Sequence, residues 1–130
     1  KLIEIFKSEK IKSIKLPVSA PFHCKLMNKA TKTMKQEIEK IEFKDSDIRL
    51  ISNVTAEEVP NKEELKKLLI EQIENRVRWR ESILNMTKNG VDHFIEIGPG
   101  KVLSGLVKRI NTNVKIDTIN SESDINNLKI

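Results

Sequence analysis

Cysteine, tyrosine and long apolar runs are scarce or missing in this sequence of 130 residues. Its one cysteine, Cys24, cannot form an intramolecular disulfide, and no group of Cys and His residues has the spacing of a zinc site. These absences predict a reducing, cytoplasmic setting without a metal centre. Tyrosine is absent and there is one tryptophan, so the chain offers few aromatic platforms for stacking nucleic-acid bases.

A membrane segment is also missing from the apolar pattern. No run approaches the ~20 residues that a spanning helix needs. The first ten residues alternate apolar and charged side chains, without the continuous apolar stretch of a signal peptide. The chain begins without Met and directly in a helical pattern, as a truncated or trimmed polypeptide would. We expect no membrane association.

The sequence is rich in charge of both signs, with an excess of lysine. Charged residues make up 33% and hydrophobic residues 38%, values that are typical of one compact globular domain. The formal net charge of +5 favours acidic partners, which include nucleic acid, anionic membranes, phosphorylated cofactors and acidic proteins. The lysines are spread along the chain and no nucleic-acid-binding motif accompanies them, so nucleic acid is the least favoured partner.

Apolar spacing predicts helices that alternate with strands. The helices are expected over residues 1–10, 23–41, 62–75, 78–89 and 101–110, with a short last helix capped by Ser121. Gly90 is suited to end the fourth helix in the left-handed conformation. The strands are expected over residues 14–19, 48–52, 94–97 and 114–119. This order predicts an α/β fold with a largely parallel sheet.

The helix expected from residue 23 to residue 41 has two distinct faces. Three lysines, Lys25, Lys29 and Lys32, lie on one side. They form either a docking stripe for an acidic partner or an ordinary solvated face. The apolar positions on the other side recur every three or four residues and predict a core-facing stripe of Leu26, Ala30, Met34, Ile38 and Ile41.

His23 is a candidate catalytic base. It lies between an expected strand and the start of an expected helix, which is where α/β proteins place their chemistry. A helix N-terminus disfavours the imidazolium and leaves the neutral imidazole that a general base requires. The alternative is a histidine that only caps or packs. Cys24 follows directly and cannot face His23 on a helix, so we expect a small buried residue there and no Cys-His dyad.

The turn Gly98-Pro99-Gly100-Lys101 joins an expected strand to an expected helix. It matches neither a phosphate loop nor a dinucleotide-binding fingerprint, because Leu103 occupies the third glycine position. The helix N-terminus could hold an anion, although close packing of the helix on its strand is the commoner reason for such glycines. No G-x-S-x-G nucleophile elbow is present, since Val102 stands where Ser104 would need a glycine.

Four segments of the chain resemble the malonyl-CoA:acyl carrier protein transacylase family. Residues 16–24 (LPVSAPFHC), followed by Leu26-Met27, are similar to the active-site histidine segment of that family. The other three are Ile51 to Ala56 (ISNVTA), Glu71-Gln72-Ile73 with Val77-Arg78-Trp79, and residues 96–106 (EIGPGKVLSGL). They occur in the family's order at compatible spacing and cover nearly the whole chain.

The resemblance implies a part of a larger fold. The family combines an α/β-hydrolase-like parallel sheet, flanked by helices, with an inserted ferredoxin-like subdomain. Residues 1–16 would be the end of the small ferredoxin-like subdomain, and residues 17–130 the C-terminal part of the large acyltransferase subdomain. The family's serine elbow, malonyl-binding arginine and oxyanion-hole glutamine have no counterpart in this sequence, so the chain alone is expected to be inactive.

The resemblance also implies an activity and its residues. A serine takes malonyl from malonyl-CoA and passes it to the phosphopantetheine thiol of acyl carrier protein in fatty-acid synthesis, without a further cofactor. His23 would be the base, and the main-chain carbonyl of Gln72 would orient it, while nothing requires the Gln72 side chain. Gln72 lies in the last turn of an expected helix, where carbonyls lack intrahelical partners. Phe22 would bind substrate by filling the space of an α-methyl group, although simple packing is an equal alternative.

Two other interpretations of the chain stay open. It could derive from the acyltransferase domain of a larger synthase, or act as a non-catalytic fragment that binds carrier protein. Acyl carrier protein is acidic, which suits the stripe of Lys25, Lys29 and Lys32. Self-association is also expected, because a part of a parallel sheet would expose apolar edges and helix faces.

Overall fold

The protein is described by a computed structural model that covers residues 1–15 and 18–128. Its α-helices are α1 (Leu2–Ser8), α2 (Asn28–Glu39), α3 (Lys62–Glu71), α4 (Trp79–Lys88), α5 (Val102–Ile110) and α6 (Glu122–Asn127). Its strands are β1 (His93–Ile97) and β2 (Lys115–Ile119), and a 3₁₀ turn at Lys25–Met27 precedes α2. No helix in this described part is both long and apolar enough to cross a bilayer.

The two strands and the helix between them form a βαβ unit. β1 and β2 pair in parallel, with Phe94 opposite Ile116 and Ile97 opposite Ile119. α5 connects the strands and packs on both of them, and its Val107 is buried. The predicted α/β class and the parallel pairing are therefore confirmed for this unit. The hydrolase-like and ferredoxin-like subdomains stay predictions.

Helix boundaries follow the capping residues of the sequence. Asn61 accepts a hydrogen bond from the Glu64 N–H and starts α3. Ser121 and Asp124 form a reciprocal capping box at the start of α6, as the sequence predicts for Ser121. Gly90 follows α4 with a positive φ of 90°, which confirms its predicted role as the left-handed residue at that helix end.

The buried core is small. Among the described residues its apolar members are Ile38, Ala56, Leu68, Ile83 and Val107, of which Ile83 is completely buried. Other large apolar side chains lie at the surface. Ile48, Ile97 and Leu26 are 82%, 79% and 78% exposed, respectively. The chain therefore carries more apolar surface than its own elements can cover.

The second helix differs from its prediction in both start and packing. It begins at Asn28 and not at His23, because His23 has a positive φ and Cys24 is extended, so neither can continue a helix. Of the five apolar positions predicted to face the core, Ile38 alone is buried. α2 packs against α3, and no other described helix or strand covers the rest of the stripe.

Two predicted strands are not formed by the described residues. The segment 48–52 contains a single antiparallel bridge, from Ile51 to Glu58. Around residues 14–19, the described positions 14, 15, 18 and 19 are irregular. Leu16 and Pro17 lie outside the described residues, as does the predicted subdomain boundary at residue 16. A strand needs a neighbour for its hydrogen bonds. Segment 48–52 pairs with residues 57–59 through two backbone bonds, from Ser52 N–H to the Glu57 carbonyl and from Val59 N–H to the Leu50 carbonyl, which is too short a pairing for a strand. The described positions of segment 14–19 have no such partner among the described residues.

Candidate active site

His23 lies on an exposed turn ahead of the 3₁₀ turn. Its backbone is left-handed, with φ of 58°, which costs a non-glycine residue roughly 1–2 kcal/mol. Cys24 after it is extended, with φ of −149° and ψ of 167°. Strained backbone of this kind is concentrated at functional sites, where the surrounding structure holds it in place.

The His23 imidazole is bound to the end of a distant helix. Its Nδ1 lies 2.7 Å from the main-chain carbonyl oxygen of Gln72, 49 residues further along the chain. This is the contact that the resemblance implies. The structure therefore brings these two candidate residues together, while their roles in a reaction stay predictions.

The Gln72 carbonyl is available because α3 ends there. Gln72 is the C-cap of α3, and its N–H donates to the Leu68 carbonyl at 3.0 Å. The carbonyls of Ile70 and Glu71 accept from the turn that follows. The next carbonyl, that of Gln72, is left for the imidazole, as expected of the last carbonyls of a helix. The negative end of the α3 dipole thus lies beside His23.

This contact assigns the two ring nitrogens. A carbonyl oxygen can only accept, so Nδ1 of His23 carries the proton and donates to Gln72. In the neutral imidazole Nε2 is then unprotonated and able to take a proton. No hydrogen bond to Nε2 occurs within residues 1–15 and 18–128. The predicted reason for a neutral base, a helix N-terminus at His23, is wrong, because α2 starts five residues later.

Two side-chain contacts near this pair were missed by the sequence analysis. Asn53 Nδ2 donates to Gln72 Oε1 at 3.1 Å, so the Gln72 side chain does have a partner. Asn28, the first residue of α2, donates through Nδ2 to Glu74 Oε1 at 3.1 Å. Neither contact leaves a periodic signal in the sequence.

The neighbours of His23 have different environments. The Phe22 side chain is 59% exposed, so it is not packed into the core of this chain. Its predicted contact with substrate stays a prediction. Cys24 is half-buried, less than the buried position expected, and its Sγ donates to the Pro21 carbonyl at 3.1 Å. Cys24 and His23 therefore have separate partners, in keeping with the rejection of a Cys-His dyad.

The lysine stripe is exposed as expected. Lys25 lies in the 3₁₀ turn, and Lys29 and Lys32 lie in the first half of α2. Within the described residues none of these three ammonium groups is paired with a carboxylate, whereas Lys35 and Lys40 further along are paired with Glu39 and Glu37. Among the described residues, the three lysines of the stripe are therefore exposed and without an ion pair.

The first turn of α5, which follows the glycine turn, binds a carboxylate of the same chain. The Glu96 carboxylate accepts from the Leu103 and Ser104 N–H groups at 3.1 and 2.7 Å. Hydrogen bonds from Ser104, followed by those from neighbouring main-chain N–H groups, hold the pKa of Glu96 below its ordinary value. The first-turn N–H groups expected to be able to bind an external anion are therefore occupied by the chain itself.

The glycines of this turn serve its backbone conformation. Gly98 and Gly100 have φ of 131° and 98°, which favours glycine at both positions. A Cβ at either position would meet no atom within 4 Å. The sequence-based explanation, close packing of the helix on its strand, is therefore wrong for these two residues.

The second histidine has a structural partner. His93 Nε2 lies 2.7 Å from Asp117 Oδ2, so the side chains join β1 to β2 across the sheet. The hydrogen bond from His93 is the main cause that lowers the pKa of Asp117. Within the described part of the chain, no cluster of three or more His, Cys, Asp and Glu side chains could hold a metal ion.

Comparison with known proteins gives a consistent set of relatives. No protein-family model matches the chain. The chain is 44% identical over 114 residues to the malonyl CoA-acyl carrier protein transacylase of Bacillus subtilis strain 168, which covers 88% of this chain and 36% of that protein. It is 40% identical over 110 residues to the transacylase of the same name from Staphylococcus aureus strain COL, covering 85% of this chain and 36% of that protein.

Solved structures agree with these sequences. The chain matches the acyl-carrier-protein-S-malonyltransferase of Bartonella henselae with a TM-score of 0.86 and 38% identity, covering 96% of this chain and 40% of that one. A complex of a type II PKS acyl-carrier protein with its malonyl-transacylase matches with a TM-score of 0.83 and 33% identity, covering 94% and 40%. The chain thus spans well under half the length of the proteins it matches.

Proposed function

Because this chain is homologous to the C-terminal part of the malonyl CoA-acyl carrier protein transacylases, we propose that it supplies the histidine base of such an enzyme. The observation that carries the proposal is the 2.7 Å contact between His23 Nδ1 and the Gln72 carbonyl. It fixes the proton on Nδ1 and directs the lone pair of Nε2 outward. A base in this tautomer needs no acidic third residue, because the Gln72 carbonyl accepts the hydrogen bond from Nδ1–H.

The proposed reaction has two half-reactions of acyl transfer. In the first, Nε2 of His23 accepts the proton of a serine hydroxyl, whose oxygen attacks the thioester carbon of malonyl-CoA. The carbon–sulfur bond breaks, and the coenzyme A sulfur leaves with the proton from Nε2. In the second, Nε2 accepts the proton of the phosphopantetheine thiol on acyl carrier protein. The sulfur attacks the malonyl-serine ester, and the serine oxygen recovers the proton.

The serine comes from polypeptide outside these 130 residues in this proposal. The sequence has no nucleophile elbow of its own. In the same way, residues 1–16 would end a ferredoxin-like subdomain, and residues 17–130 would complete an α/β-hydrolase-like one. We therefore propose that the chain has no transfer activity by itself, although it holds the base ready.

Acyl carrier protein is the partner that the charge of the chain suits. Lys25, Lys29 and Lys32 lie within nine residues of His23 and are exposed. An acidic carrier protein would be attracted to these lysines by their charge. One matched structure contains a carrier protein bound to its transacylase, which supports this choice of partner.

Two alternatives share the same residues. A multidomain synthase could carry this segment as its acyltransferase domain, and the resemblance of the histidine segment suits both. A non-catalytic fragment that binds carrier protein would need the lysines but not the 2.7 Å contact. That contact favours the catalytic interpretation, because binding alone gives no reason to orient an imidazole.

The test is malonyl transfer by a transacylase that has this chain as its C-terminal part. We expect His23→Ala to lower kcat for transfer to acyl carrier protein by about 10²–10⁴-fold, since that is the usual contribution of a general base. Gln72→Ala keeps the main-chain carbonyl and should retain far more activity. An equal loss in both variants, or full activity of His23→Ala, would contradict the proposal.

A further inference from the structure

The side chain of Gln72 is held in place from a third segment of the chain. Its Oε1 accepts from Asn53 Nδ2 at 3.1 Å, while its main-chain carbonyl accepts from His23. Asn53 and Gln72 are both half-buried, so solvent competes less for this bond than at an exposed position. The residue that orients the imidazole is thus itself bound through a side chain to which no role has been assigned.

We propose that Asn53 is a positioning residue, which holds Gln72 so that its carbonyl stays in line with His23 Nδ1. The proposal rests on the role of the Gln72 carbonyl given above. Within the described part of the chain, Asn53 makes no hydrogen bond to the imidazole of His23. Its effect passes from the Asn53 amide to the Gln72 side chain, and from the Gln72 backbone to the tautomer of His23.

The need for such a contact follows from where Gln72 lies. It is the C-cap of α3, and the last residues of a helix fray because their carbonyls lack intrahelical partners. A carbonyl at a mobile helix end would leave the imidazole free to exchange tautomers. A side-chain bond to a residue outside the helix restricts that motion directly at Gln72.

Asn53 is itself fixed by a short turn. Its carbonyl accepts from the Arg78 N–H at 2.8 Å, just before α4. The Arg78 Nη1 donates to the Thr55 carbonyl at 2.7 Å. Next to it, Ser52 is 5% exposed, and its Oγ accepts from the Val54 N–H at 3.1 Å. These hydrogen bonds fix the backbone on both sides of Asn53, and a residue that positions another must itself be held in place.

The test measures the ratio of the two neutral tautomers of His23. ¹⁵N NMR of the ring nitrogens in this chain gives that ratio at a pH where imidazole is neutral. In the wild type we expect the Nδ1–H tautomer to exceed the other by about tenfold, since one hydrogen bond favours it. Asn53→Leu removes the amide at similar size and should reduce this ratio by at least about threefold. His93, bound to Asp117, gives the internal standard for an intact fold.

Two further variants serve as controls. Asn85→Leu removes another half-buried amide, which donates to the Ala56 carbonyl at 2.8 Å and does not touch Gln72. It should leave the His23 ratio unchanged. Gln72→Glu keeps an acceptor for the Asn53 N–H, and we expect it to keep the wild-type ratio as well.

A folded Asn53→Leu chain with the wild-type ratio would overturn the proposal, as would an equal change in Asn85→Leu. If Asn53→Leu loses the His93 signal, Gln72→Met decides in its place, because it removes only the acceptor. An unchanged ratio in that variant would overturn the proposal equally.

In a transacylase that contains the chain, Asn53→Leu should lower kcat with KM unchanged, because the imidazole loses its fixed orientation as well as part of its Nδ1–H population, and Gln72→Met should add nothing to it. Because the NMR ratio does not depend on transfer, failure of the proposed activity would leave it intact. Failure of the positioning role would leave transfer intact.

Discussion

His23 has an exposed ring and a fixed position for the ring proton, and different atoms of the residue are responsible for each. Its backbone adopts a left-handed turn that ends any helix at that point, and its side chain reaches the C-terminus of α3. The turn exposes the ring, and the contact with α3 fixes which nitrogen carries the proton. An imidazole with an unprotonated Nε2 results from the two together.

Phe22 provides a prediction at the level of one side chain. If it fills the space of an α-methyl group, Phe22→Ser in a transacylase containing this chain should raise the preference for methylmalonyl-CoA relative to malonyl-CoA. A methyl group is worth about 1–3 kcal/mol, which corresponds to roughly 10–200-fold in selectivity. Competition between the two substrates measures it. Phe22→Leu, which keeps most of the bulk, is the control, and unchanged selectivity in Phe22→Ser would remove Phe22 from the substrate site.

The site residues were predictable to different degrees. His23 and the Gln72 carbonyl could be paired because the resemblance to the transacylase family implies their contact, and the position of Gln72 in the last turn of an expected helix agrees with it. The link from Asn53 to Gln72 could not, since it joins two amides 19 residues apart and depends on how a turn packs against α3. The polar side chains with the least local sequence signal are those that hold the predicted pair in place.

Among the helices, α5 is stabilised at its N-terminus by a carboxylate from the preceding strand, β1. The Glu96 carboxylate binds the N–H groups of its first turn, which lack intrahelical partners. A phosphate of a ligand therefore cannot take that place without displacing Glu96.

This contact predicts a pH dependence of stability. Because the folded-state pKa of Glu96 is lowered from 4.5, its contribution is present above that value and is lost as pH falls through the folded-state pKa. We expect Glu96→Gln to lower the Tm of the chain at pH 7, and the difference from the wild type to shrink at pH 3. Circular dichroism melts measure both. Glu42→Gln, an exposed residue without a hydrogen bond in the described part of the chain, is the control. A difference independent of pH would contradict the prediction.

α2 gives a prediction about the carrier protein. Lys29 is an unpaired, exposed lysine on the helix beside His23, and Lys88 is an exposed lysine at the end of α4. If the stripe docks acyl carrier protein, Lys29→Glu in the transacylase should raise KM for carrier protein several-fold at low salt, and less at high salt. Lys88→Glu should change it little. Equal KM values for the two variants across the salt range would rule out docking at Lys29.

The helices and strands whose hydrogen-bond partners are close in sequence were predicted best. The βαβ unit around α5 and the capped helices agree closely with the expected ranges, because their hydrogen bonds are satisfied within a short stretch of chain. The strand expected over residues 14–19 needs a neighbour that the described residues do not supply, and segment 48–52 pairs with residues 57–59 over too short a length to form a strand. Their apolar composition predicts burial, and only a partner strand can turn that into a sheet.

The whole molecule has a core too small for its apolar content. Five apolar residues are buried in the described part, while side chains such as Ile48 and Ile97 are about four-fifths exposed. Each strand of the two-stranded sheet also has one edge free of any described partner. Both features favour association with another polypeptide.

We therefore expect the isolated chain to self-associate. Light scattering should give a mass above 15.0 kDa that rises with concentration. Ile97→Lys, at an exposed strand end, should shift the distribution towards monomer without loss of helix signal. Ile97→Val is the conservative control. A monomer at all concentrations in the wild type would contradict this expectation.

The contact between His23 and Gln72 closes entirely within this chain. Orientation of the imidazole is therefore encoded separately from the polypeptide that would deliver the nucleophile. Sequence changes in that other polypeptide would leave the hydrogen bond from Nδ1 and the unprotonated Nε2 in place.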